Sequence, residues 1–448
     1  MLRFSVEVDN NEYLPASGTE LSALVTVRAT ADGSAPGTAA GGTRYAEVII
    51  LDCSGSMSAP PTKIEMAKRA AAAAIDCLRP GTLFAVIRGT STAQVVYPPG
   101  GGLAEATPAT CSQARRAVKQ LAAAGGTAIG RWLLAARGLL VDHPDAIRHA
   151  ILLTDGKNEH ETATEFADAL RACRGHFQCD CRGVGRGWVA DELQQIASTL
   201  LGTALDIPHT SELVAHFTAM AKEAMARALR EASLSIWVPQ GARIRSFRQI
   251  RPTIEDLTSQ GVKLEEQITA FSTGAWRDES RSYHLTVAGL TPFPEAFRPS
   301  RVGRVGVSSG GVELASASIL AQWTTDPALY TQVSAQVQAG AKQIELMQEV
   351  NAGKTALGEH DRARAETHLG RAWLLARELD DQAMVEMVEE LVTVVDRERG
   401  LVRVRPAVDD YFLEVLQLRS RYTARLEARP DSGPQPPESW KPPAEGRS

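Results

Sequence analysis

No apolar run in the chain approaches the roughly 18 residues that a membrane-spanning helix needs. The opening stretch MLRFSVEVDN has neither a basic cluster nor a long apolar core, so a cleaved secretion signal is not expected. The sequence therefore reads as cytoplasmic and without a membrane partner. An excess of basic residues is missing too. The net charge is −5, which leaves no electrostatic footprint for nucleic acid. Cysteine is sparse: the six residues at 53, 77, 111, 173, 179 and 181 are too scattered for a disulfide framework and suit small buried side chains. What remains is an ordinary globular composition, 44 % apolar and 23 % charged, in a 448-residue chain that exceeds the size of one core.

The informative segment is VIILDCSGSMS. Asp52, Ser54 and Ser56 form a D-x-S-x-S cluster where a strand-type run, Val48 to Leu51, stops. Three short oxygen ligands so close together suit a hard divalent cation and not the softer metals that seek thiolate or imidazole. Taken singly, such residues are also ordinary turn and cap formers. Further along, GGTAIG carries Thr127 ahead of a helical stretch, and a second apolar run, Ala150 to Leu153, ends in Thr154 and Asp155. The five oxygen-bearing residues Asp52, Ser54, Ser56, Thr127 and Asp155 thus come from three loops. In open parallel sheets the ligand crevice lies beyond the carboxyl ends of the strands. Two carboxylates facing one crevice repel unless a cation or a proton intervenes.

With DCSGS at 52–56, Thr127 after Gly125 and Gly126, and Asp155 in LLTDG, residues 46–227 resemble the von Willebrand factor type A family. All five positions of that family's metal-ion-dependent adhesion site are matched. The resemblance implies that Ser54, Ser56 and Thr127 bind Mg2+ directly or through water, with Mn2+ or Ca2+ as alternatives. It implies that Asp52 and Asp155 act largely through water, and that an Asp or Glu carboxylate of a protein partner fills the open coordination position. Intracellular relatives of this kind serve as scaffolds or signalling regulators beside kinases, phosphatases or ATPase machines.

The surrounding pattern predicts an α/β fold with a doubly wound, mainly parallel sheet over 46–227. Strand-type runs there alternate with helical ones. Thr62 and Glu65 have capping-box spacing ahead of the first helix, as do Thr110 and Gln113 ahead of the second. Residues 1–42 and 230–323 instead alternate apolar and polar with period two, as at Phe4, Val6 and Val8 or Leu234, Ile236 and Val238. Neither stretch suffices alone for a sandwich, so the two are expected to pair, with the α/β unit inserted between them through a linker at 31–43. Integrin β subunits offer an architectural analogy. Residues 327–425 read as helical, similar to tetratricopeptide-type hairpins, with Met384, Met387, Val388, Leu391, Val394 and Val395 on one helical face. The tail 430–448 is too rich in Pro and Ser to bury a core and is expected to be disordered.

Other signals are weaker. Cys173, His176, Cys179 and Cys181 have zinc-like spacing, but alternation within a strand favours core cysteines and no second knuckle is present. Gly353-Lys354-Thr355 lacks the glycine that a P-loop needs upstream. Gly183, Gly185 and Gly187 read as a flexible turn. His149, Lys157, Glu159 and His160 flank Asp155; the bland reading is a solvated loop. The sharper one makes Lys157, Asn158 and His160 a rim that selects the partner. Arg131 and Trp132 could join that rim, although Trp132 fits a core equally well.

The leading expectation is a non-enzymatic, Mg2+-dependent interaction module. The alternative is a metal-dependent hydrolase or phosphatase in the same crevice, with His160 or Cys53 as the candidate base or nucleophile.

Overall fold

The computed structural model describes residues 2–31, 43–292 and 298–423. Most of the expected linker at 31–43 and the whole of the tail 430–448 lie outside these residues.

The central sheet has the strand order Ala204–Ile207, Gln178–Val184, Ala146–Thr154, Arg44–Asp52, Leu83–Gly89 and Ala93–Tyr97. The first five are mutually parallel, and Ala93–Tyr97 and Ala104–Glu105 run antiparallel to Leu83–Gly89. Strand Arg44–Asp52 explains the layering. Its Ala46, Val48 and Ile50 enter one apolar cluster while Tyr45, Ile49 and Leu51 enter another. A strand buried on both faces is what a parallel sheet covered by helices demands. From this strand the chain adds Leu83–Gly89 on one side and Ala146–Thr154 on the other, so the order reverses there. That reversal opens a crevice beyond the carboxyl ends of the two central strands, where Asp52 and Asp155 fall.

The sandwich takes strands from both sides of this unit. One sheet runs Leu2–Asn10, Glu20–Ala31, Glu279–Ala288, Arg243–Arg251 and Glu255–Asp256. The other runs Val262–Lys263, Ile268–Trp276, Leu229–Trp237, Ser300–Ser309, Val312–Thr324 and Tyr13–Pro15. Phe4, Val25, Phe247, Phe271, Trp276, Tyr283 and Trp323 meet in one core between them. The stacked rings of Phe247 and Tyr283, 5.2 Å apart, add geometry to that apolar burial. The α/β unit is thus inserted in a β-sandwich.

Helices Ala335–Gly358, Arg362–Glu378 and Gln382–Leu391 follow, the last two capped by the side chains of Asp361 and Asp381. Their Leu346, Trp373 and Met384 join the same apolar cluster as Val48 and Leu152 of the central sheet. Val394 and Val395 depart from the expected helical face. They stand in strand Val392–Asp396, paired with Leu401–Val404. The run Val392-Thr393-Val394-Val395 is β-branched throughout, which costs side-chain freedom in a helix and fits a pleated strand. Helix Asp410–Arg421 then ties the parts together. Arg419 grips Asp206 with two bonds of 2.9 Å, and Arg421 reaches Glu255 of the sandwich at 3.0 Å. Among the described residues no helix is long and apolar enough to cross a membrane.

Candidate metal centre

The strand Arg44–Asp52 ends on a buried carboxylate, and the next residues turn tightly through a short 3-10 helix, Gly55–Ser58. That turn folds Ser54 and Ser56 back over the strand end. The Ser54 amide donates to Asp52 Oδ1 at 2.8 Å, the two serine hydroxyls lie 2.9 Å apart, and Ser56 Oγ donates to Asp155 Oδ1 at 2.6 Å. The two aspartates are thereby joined through the two serines in one hydrogen-bonded chain. Thr127 comes from the third loop. A Cβ placed on Gly156 would stand 3.4 Å from Thr127 Oγ1 and 3.5 Å from Ser56 Oγ, which puts both hydroxyls against the same backbone. All five predicted residues therefore converge. Asp52, Ser54, Thr127 and Asp155 are buried, and Ser56 faces solvent.

Burial pushes the Asp52 carboxyl above its usual range; hydrogen bonds from Ser54 and Thr154 oppose this, and the charge of Asp155 adds to it. The crevice therefore sets two carboxyl groups near each other in a desolvated place. Hydroxyl and carboxylate oxygens in that setting fit a hard divalent cation. Among the described residues, no group of three or more His, Cys, Asp or Glu side chains forms a metal cluster, and the zinc-like cysteines are core. Cys173 and Cys181 are packed among apolar side chains and burial pushes both thiols up to about 12. Cys53 is likewise buried, its thiol raised to about 12 by burial and by the neighbouring Asp52 charge.

The residues beyond Asp155 fall into different roles. Lys157 is exposed. Asn158 turns inward, its Oδ1 accepting from the Ile129 amide at 2.8 Å, and His160 Nδ1 accepts from the Thr127 amide at 3.2 Å. Both thus brace the Thr127 segment. The His160 ring lies so close to Gly126 that a Cβ there would sit 1.9 Å from it, so a larger residue would push the imidazole off the Thr127 amide. Trp132 is core, and its indole donates to the Thr90 carbonyl at 2.6 Å; Arg131 is exposed. His149 is in no solvated loop: it lies buried within strand Ala146–Thr154, held by Glu47 and Asp180.

Three contributors escaped the sequence reading. Thr154 Oγ1 donates to Asp52 Oδ2 at 2.7 Å, although it was visible as the residue ending the second strand. Glu161 accepts from the Gly130 and Arg131 amides, both at 2.7 Å, and so fixes the helix after Thr127. Lys63, from helix Thr62–Asp76, forms an ion pair with Asp155. The glycine turn is a packed wall and not a loose one: a Cβ on Gly187 would lie 2.5 Å from the Asp155 carbonyl oxygen.

A family model for the von Willebrand factor type A domain matches residues 47–206. A solved von Willebrand factor type A structure from Catenulispora acidiphila is 37 % identical, with a TM-score of 0.88 over 94 % of this chain and 97 % of that one. The ArnB paralog VWA2 from Sulfolobus acidocaldarius shares the fold at 13 % identity, with a TM-score of 0.56 over 94 % of this chain and 99 % of that one. An uncharacterized protein of Synechocystis sp. is 25 % identical over 330 residues, 72 % of this chain and 76 % of that protein. With the sheet, its reversal point and the convergent loops, these likenesses establish that the chain belongs to the von Willebrand factor type A family.

Proposed function

We propose that the crevice binds Mg2+ and presents it to an Asp or Glu carboxylate of a partner protein, making the chain a scaffold or regulator. The observation that carries this reading is the hydrogen-bonded chain from Asp52 through Ser54 and Ser56 to Asp155, with Thr127 beside it. Ser54, Ser56 and Thr127 would supply neutral oxygens and the two aspartates the charge. With neutral hydroxyls as the direct donors and the two aspartates acting largely through water, the cation would keep a ligand position that a partner's carboxylate can fill. When bound, the cation supplies a Lewis-acidic position for that ligand's oxygen. The protein's part is to hold its five side chains in place through Thr154, Asn158, His160 and Glu161.

The hydrolase alternative asks for a base or activated nucleophile beside the metal. Cys53 is buried with a raised thiol, and His160 already spends Nδ1 on the Thr127 amide. Both facts favour docking over catalysis. Calorimetric titration of Mg2+ into the wild type should give a saturable signal that Asp52→Ala abolishes. Capture of partners from cell extract should then need Mg2+ and fail with chelator; capture that proceeds equally well in chelator would sink the docking model.

A further inference from the structure

We infer that Lys63 is a tethered cation that occupies the metal's electrostatic place in the crevice and so sets the affinity for the metal. This rests on the metal reading above and adds a residue of the chain's own to it.

Lys63 is the second residue of helix Thr62–Asp76, at the end where the helix dipole disfavours a positive side chain. Local helix energetics therefore give no reason for a lysine there. Its side chain is turned into the crevice and only 13 % exposed, while the Asp155 carboxylate it meets is fully buried. The ammonium bonds Asp155 Oδ2 and also reaches the Ser56 carbonyl at 3.3 Å. Gly185, at φ +69°, passes above it, and a Cβ there would approach the lysine Cε and Nζ at 3.7 and 3.8 Å. The lysine is thus enclosed by the strand end, the serine turn and the glycine turn.

Both Asp155 oxygens are consequently in use, Oδ1 by the Ser56 hydroxyl and Oδ2 by Lys63. Among the described residues, Lys63 is the cation in an ion pair with either crevice aspartate. An ammonium and a dication drawing on one buried carboxylate repel each other strongly where water is scarce. Filling the crevice with metal therefore requires Lys63 to let go of Oδ2. Its flexible four-carbon stem, rooted at the first turn of an exposed helix end, makes that release a side-chain rotation and not a backbone change. The crevice without metal then never carries two bare carboxylates, and the apparent metal affinity is reduced by the fraction of molecules in which the lysine is docked.

The test compares Mg2+ and Mn2+ binding by calorimetry in the wild type, Lys63→Met and Lys63→Arg. Lys63→Met should bind about tenfold more tightly, since the competing state is removed, whereas Lys63→Arg should stay near wild type. In chelator, Lys63→Met should melt below wild type, and its rise on adding Mg2+ should be the larger of the two. As a measurement on the unaltered protein, the carbon-13 resonance of the Lys63 Cε should move toward that of an exposed lysine on Mg2+ addition, with no such change in Asp52→Ala. Unchanged or weaker metal binding by Lys63→Met, or a Lys63 resonance indifferent to Mg2+, overturns the inference while leaving the metal site standing. Absence of Mg2+ and Mn2+ binding in all three proteins overturns the metal reading and this inference with it.

Discussion

Two groups of buried acids share the central strands and are treated in opposite ways. Midway along them, Glu47 and Asp180 flank His149, whose Nδ1 lies 2.9 Å from Glu47 and whose Nε2 lies 2.8 Å from Asp180. Arg227, just past helix Leu213–Ala226, adds an ion pair to Asp180 at 3.3 Å, and Thr203 donates its amide and hydroxyl to the other carboxylate oxygen. Burial works against charge there, yet Glu47 and Asp180 outweigh it and hold the His149 pKa above its usual value. Asp180 is likewise opposed by burial, but His149, Arg227 and Arg182 keep it well below the usual carboxylate range. At the strand ends, Asp52 and Asp155 have hydroxyls, amides and one movable lysine instead. Fixed cationic partners make the first cluster part of the framework. Neutral oxygens make the second a place where charge is still wanted.

The contrast predicts that damage to the two clusters separates stability from binding. The largest effect is expected for His149→Leu, which strands the buried Glu47 carboxylate and takes one of its cationic partners from Asp180: urea unfolding should show a loss of about 3–5 kcal/mol, with metal affinity unchanged in whatever fraction stays folded. Next, saturating Mg2+ should stabilise the wild type by about 2.7 kcal/mol at a hundred times its Kd, and should do nothing for Asp155→Asn. A stabilisation surviving in that variant would place the metal elsewhere. The smallest effect is in pH. Because the folded-state pKa of His149 is raised, its contribution is complete below the unfolded value near 6.5 and is lost as pH rises through the folded value. Stability should therefore decline on the alkaline side by at most about 1.4 kcal/mol per pH unit, and His149→Gln should flatten that decline. Asp180 acts with the opposite sense, its contribution being lost only in acid, as pH falls through its depressed folded value.

The same contrast marks what was legible in the sequence. The crevice residues were readable because they are polar residues where apolar runs stop, and their three-loop origin follows from α/β alternation. The framework cluster is hidden because the apolar pattern starts the strand only at His149, at the sheet edge, whereas the strand begins at Ala146 and carries His149 inside the sheet. A signal existed: Glu47, His149 and Asp180 each interrupt an apolar strand, and the register sets His149 opposite Glu47. Lys63 was unreadable for another reason. Its reach to Asp155 depends on how the turn at Gly55–Ser58 aims the following helix, and helix periodicity carries no such information. Capping signals misplaced helix starts by a few residues. Thr107 and Thr110 form the capping box expected at Thr110 and Gln113, and Thr62 lies inside a helix whose cap position is Pro61. At the helix capped by Thr107, Pro108 in the first helical position settles where the helix starts. The paired sandwich halves, by contrast, followed from period-two alternation too short on either side to close alone.

That pairing has a consequence for how the chain comes into being. Strand Glu20–Ala31 lies between Leu2–Asn10 and Glu279–Ala288, and Tyr13–Pro15 waits for Val312–Thr324. During synthesis the first hairpin emerges with one long edge unsatisfied, and the entire α/β unit is made before any strand that can cover it. The strands of the central sheet all come from residues 44–207 and can pair with one another as they emerge, but the sandwich is assembled from contacts of very long sequence separation, the kind that form slowly. For that interval the growing protein carries an unpaired β-edge, the feature most open to pairing with another chain.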